Sequence, residues 1–72
     1  MKTNIIYTIE QQMEILKWFA LDLLKHGKDT EEVNNVLNFV VFDRDYSTDI
    51  NVNAIRLLAK EELGLHDHQK NK

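Results

Sequence analysis

The stretch 42–54, "FDRDYSTDINVNA", carries oxygen-bearing side chains at every second position: Asp43, Asp45, Ser47, Asp49 and Asn51. Oxygen ligands at such spacing are what a calcium ion asks of a loop. Aligned to an EF-hand loop that begins at Asp43, Asp45 and Ser47 take the next two ligand positions and Ile50 the apolar one. The alignment fails where the geometry is most demanding. Thr48 stands where a glycine must make the sharp turn, and Ala54 stands where a bidentate glutamate must close the coordination sphere. Arg44 further offsets the local negative charge. The stretch therefore reads as a solvated connection that ends in a helix cap.

Other candidates for chemistry are sparse. His66 and His68 in "HDH" offer two imidazoles to a transition metal, with no third ligand nearby in sequence. His26 falls at the end of a helix, where a cation complements the dipole. The chain has no cysteine, which excludes disulfides and thiolate sites. It has no glycine-rich phosphate loop, no serine nucleophile in a strained turn and no metal-binding helix motif. Neither a cofactor nor a catalytic residue is expected, and the protein reads as a non-enzyme.

The elements that hold these residues follow from 72 residues with no proline and two glycines, Gly27 and Gly64. A chain with so few breaks is served best by helices. Thr8 and Gln11 form a capping box, and Ile9, Met13, Leu16, Phe19, Ala20, Leu23 and Leu24 then recur on one face, so a first helix is expected over 9–26. Asp29 or Thr30 caps a second over 30–42, with Val33, Val36, Leu37, Val40 and Val41 as its stripe. A third spans 50–63, capped by Ser47, Thr48 or Asp49, with Val52, Ile55, Leu58, Ala59 and Leu63 on one face. Gly64 and Leu65 suit a Schellman ending.

The fold class is all-α: one three-helix domain over 1–65, preceded by a short extended N-terminus and followed by a frayed polar tail over 66–72. The competing assignment is α+β with strands near 4–8 and 37–42, because "FVVF" is β-branched and aromatic. The longest apolar runs, "WFAL" and "FVVF", are far short of a membrane span, and the start of the chain lacks a signal-like apolar region. The expected location is the cytoplasm.

A formal charge of −3 gives no general attraction to nucleic acid. Small three-helix domains can nevertheless read DNA with their last helix, and Asn53, Arg56 and Lys60 are the residues that would do so here. Glu61 and Glu62 in the same helix oppose that use.

The strongest signal is a surplus of apolar residues. Trp18 and Leu21 lie off the core stripe of the first helix, Phe39 and Phe42 off that of the second, and Ile50, Ala54 and Leu57 off that of the third. A small domain has one core and cannot bury two faces of every helix. These seven residues are the expected partner interface, in a homodimer or against an unidentified protein. The expectation is a small interaction module, of the kind found as bacterial or phage accessory and regulatory proteins. A small DNA-binding regulator is the alternative.

Overall fold

The computed structural model describes residues 6–64. Three helices follow in order: α1 (Ile9–Lys25), α2 (Thr30–Asp43) and α3 (Val52–Glu62). No strand occurs among the described residues, so the architecture is all-α. Of the two segments suggested as strands, 37–42 lies within α2, and the described part of 4–8 leads irregularly into the cap of α1.

Each boundary has a local cause. The Thr8 hydroxyl accepts from the Gln11 amide at 3.0 Å, while the Gln11 side chain accepts from the Thr8 amide at 2.9 Å. That reciprocal pair satisfies two donors that the first turn would otherwise leave free. Asp29 caps α2 by accepting from the Glu32 amide at 2.8 Å. Helix α1 ends in a Schellman motif: Gly27 has φ 81°, its amide donates to the Leu24 carbonyl, and the Lys28 amide donates to Leu23.

Helix α3 starts later than its sequence suggests, and its cap is Asn51 rather than Ser47, Thr48 or Asp49. The Asn51 side chain accepts from the amides of Asn53 and Ala54. Ser47 is occupied in a turn of its own, its hydroxyl accepting from the Asp49 amide and its carbonyl from Ile50. Gly64 closes α3 with φ 72°, its amide donating to the Glu61 carbonyl. Leu65 and the tail 66–72 lie outside the described residues.

The core joins Leu16, Ala20 and Leu21 of α1 to Val33, Leu37 and Val40 of α2 and to Ile55 and Ala59 of α3, with Tyr46 reaching in from the α2–α3 connection. All three helix pairs touch, and α1 packs most extensively on α3. Because α1 serves two neighbours, its buried face is wider than one stripe. That width accounts for Leu21, expected on the outer side yet only 7% exposed.

The same packing leaves parts of the expected stripes in water. Periodicity assigns Ile9, Met13 and Leu58 to core faces, and all three are exposed. Gln12 ties the segment before α1 to the α2–α3 connection: its amide group donates to the Tyr7 carbonyl at 3.0 Å and accepts from the Ser47 amide at 2.9 Å.

Candidate functional site

The calcium-like stretch resolves into backbone punctuation. Asp45 adopts the left-handed conformation, φ 59°, and is the only non-glycine residue among those described to do so. Its amide donates to the Phe42 carbonyl at 3.3 Å, and the next amide, of Tyr46, donates to Val41 at 2.9 Å. This is a second Schellman motif, with an aspartate where a glycine is usual. The motif turns Tyr46 inward, to 6% exposure and an edge-on contact with Tyr7 at 6.4 Å between ring centroids. Of the remaining oxygens, those of Ser47 and Asn51 serve the turn and the α3 cap. Among the described residues no three acidic or histidine side chains converge on a point where a metal could sit. His26 is the C-cap of α1, with Nδ1 2.8 Å from the Asp22 carbonyl. The "HDH" pair lies outside the described residues.

The third-helix residues proposed to read DNA are already engaged with the protein. Arg56 is 8% exposed, its guanidinium turned toward α2. Its Nε donates to Asn34 Oδ1 at 3.1 Å and its Nη2 to Asn53 Oδ1 at 2.8 Å, while Asn34 Nδ2 also donates to Asn53 Oδ1 at 3.0 Å. The guanidinium thus donates to two amide oxygens and, among the described residues, pairs with no carboxylate. Lys60 is half-buried, and Asn53 is exposed but bonded into the same cluster.

The apolar surplus is spread over several sides of the molecule. Trp18 is 58% exposed on α1, Phe39 and Phe42 are exposed on α2, and Leu57 and Ala54 are exposed on α3. Leu21 belongs to the core instead, and Ile50 is half-buried against it. Since the three helices contact one another pairwise, residues opposite the core on each helix point apart. Of the seven residues expected at a partner interface, Leu21 is thus in the core, and the others are carried on all three helices and the α2–α3 connection.

Two of the concave surfaces are mainly apolar. One, of about 400 Å³, is lined by Ile15, Trp18 and Phe19 of α1 together with Asp22 and Arg44. The Arg44 guanidinium lies 5.4 Å from the Phe19 ring centroid, and the Lys17 ammonium 5.9 Å from that of Trp18. The other, of about 280 Å³, runs between α1 and α3 and is lined by Glu10, Met13, Glu14, Lys17, Ile55 and Leu58. Periodicity could not find the second, because it assigns Met13 and Leu58 to the interior.

Comparison with family models, curated proteins and solved structures yields no match to this chain. The fold and the surfaces are thus the whole basis for a functional reading. No helix among the described residues is long and apolar enough to cross a membrane.

Proposed function

We propose that this protein is a non-enzymatic interaction module, acting in an accessory or regulatory role, whose Trp18 surface mediates self-association. The observation that carries the reading is the hollow of Ile15, Trp18 and Phe19, an aromatic-rich surface on a small domain whose core is already filled. Large exposed aromatics are the usual anchors of protein interfaces. The hollow also has opposite charges on its rim, Asp22 and Arg44. A two-fold axis through it would set Asp22 of each copy toward Arg44 of the other, the self-complementarity that a symmetric dimer requires. The DNA-reading alternative has less support, since its leading cation, Arg56, is buried in a bond to α2.

Sedimentation across a concentration series tests the proposal. Wild-type protein is expected to dimerise in the micromolar range, and Trp18→Ala to raise the dissociation constant by about 30-fold, the equivalent of roughly 2 kcal/mol for a truncated anchor. Trp18 is the sole tryptophan, so its emission should move to the red as the dimer is diluted. A chain that stays monomeric at high micromolar concentration, with solvent-like emission, ends the self-association proposal.

A further inference from the structure

The groove between α1 and α3 has a chemistry of its own. Lys17 Nζ donates to Glu62 Oε2 at 2.9 Å, and Met13 and Leu58, separated in sequence by the same 45 residues, share the groove. The two helices therefore run in the same direction along the groove. The result is a short apolar strip on its floor, with Met13 37% and Leu58 57% exposed.

The lips of this strip are acidic. Glu10 and Glu14 stand on the α1 side, and Glu62 of α3 reaches the groove through its bond to Lys17. Among the described residues Lys17 is the only cation lining the groove, and its ammonium is already held by Glu62 at 2.9 Å and Glu14 at 3.7 Å. An occupant must offer apolar side chains to the floor and positive charge to the lips. A second copy of this chain, at a net −3, would bring like charge to like. Nucleic acid and anionic lipid are repelled for the same reason. The segment 66–72 contains two lysines but no apolar residue for the floor.

We propose that the α1–α3 groove docks a basic amphipathic helix of another protein, with apolar residues at i, i+3 and i+4 seated on Met13 and Leu58 and flanking Lys or Arg set against Glu10 and Glu14. The inference rests on the reading as an interaction module but uses a different surface from Trp18.

The probe is a fluorescein-labelled helical peptide of about 16 residues, leucine on one face and lysine on its flanks, titrated with the full chain and followed by anisotropy. Saturable binding with a dissociation constant of ~10–100 µM is expected. The same peptide with glutamate in place of lysine should bind at least about tenfold more weakly. Leu58→Asp decides between groove and mere charge. It adds negative charge, so simple attraction predicts tighter binding, whereas docking predicts a loss of about tenfold or more. The double variant Glu10→Lys, Glu14→Lys should also weaken binding.

No saturable binding, an equally good glutamate peptide, or undiminished binding to Leu58→Asp would each overturn the proposal. Should the variant fail to fold, methyl shifts of Met13 and Leu58 in the unaltered chain decide the matter instead, since a peptide that binds without moving them sits elsewhere. Trp18→Ala should bind the peptide normally. A monomer that binds it refutes the dimer but not this groove, and a dimer that ignores it does the reverse.

Discussion

Replacing Asp45 by glycine should stabilise the protein. Asp45 holds φ 59° as the left-handed residue that ends α2. An L-residue in that conformation is strained by roughly 1–2 kcal/mol, with aspartate toward the lower end because its short polar side chain tolerates it. Glycine removes the strain, but it widens the unfolded ensemble at a cost of about 0.5–1 kcal/mol. A second gain comes from charge. The last turn of α2 contains no basic residue, and Asp43 already stands at its negative end. Removing a carboxylate beside that end is worth about 0.3–1 kcal/mol. Together these give a net stabilisation of roughly 1 kcal/mol, or a rise in melting temperature of about 4–8 °C for a domain this size.

Charge and strain separate in a short series read by thermal and urea denaturation. Asp45→Asn keeps the left-handed tolerance and loses the charge, whereas Asp45→Ala loses both. Glycine and alanine are equally neutral, so their difference isolates the backbone, and glycine should be ahead by at least about 1 kcal/mol. Alanine as stable as glycine would refute the strain argument. The series also tests the stretch as a cation loop. Millimolar calcium should leave the melting temperatures of wild type and Asp45→Gly unchanged, because Ala54 cannot close a coordination sphere. A rise with calcium but not magnesium, abolished by Asp45→Gly, would show that the stretch binds the ion.

Tyr46→Phe should raise stability by about 1 kcal/mol, because its buried hydroxyl has no hydrogen-bond partner among the described residues and the ring contact with Tyr7 survives the change; a loss of that size in urea denaturation would mean the hydroxyl is bonded. Arg56→Ala should cost roughly 1–3 kcal/mol by stripping donors from Asn34 and Asn53, and Arg56→Lys should recover little of it, since an ammonium cannot reproduce the spread of Nε and Nη2. An Arg56→Lys protein as stable as wild type in the same assay would contradict that geometry. Lys17 has its pKa raised, first by its hydrogen bond to Glu62 and then by the charges of Glu14 and Glu62. A raised folded pKa means stabilisation that is complete below the unfolded value of about 10.4 and is lost as pH climbs through the folded one. The stability gap between wild type and Lys17→Gln should therefore be level through neutral pH and narrow at alkaline pH, and a gap that does not narrow argues against the pair.

Much of the fold could be read from local chemistry. The capping box at Thr8 and Gln11, the cap at Asp29 and the stop at Gly27 each depend on residues within one turn, and each forms. The helix within 37–42 follows from the lack of any strand for "FVVF" to pair with among the described residues. What local reasoning missed depends on tertiary context. Leu21 is buried because α1 has two neighbours, and Met13 and Leu58 are exposed because the α1–α3 contact leaves a groove along its edge. Arg56 read as a surface cation, for nothing in sequence indicates that Asn34, 22 residues earlier, comes within bonding distance.

The same distinction governs the candidate site. Counting apolar residues off the core stripes identifies a surplus, but not how many surfaces hold it. A two-fold contact centred on Trp18 does not by itself account for Phe39 and Phe42, which are 63% and 83% exposed on α2. Nor does it account for Leu58, which lies across α1 from Trp18 in a groove whose one lining cation, Lys17, is already paired with Glu14 and Glu62. Surfaces that differ in charge select different occupants. A rim of one acid and one base suits a second copy of the same chain, and an acidic rim suits a basic stranger. That difference in charge makes two partners on two faces a better account of this chain than one large dimer interface.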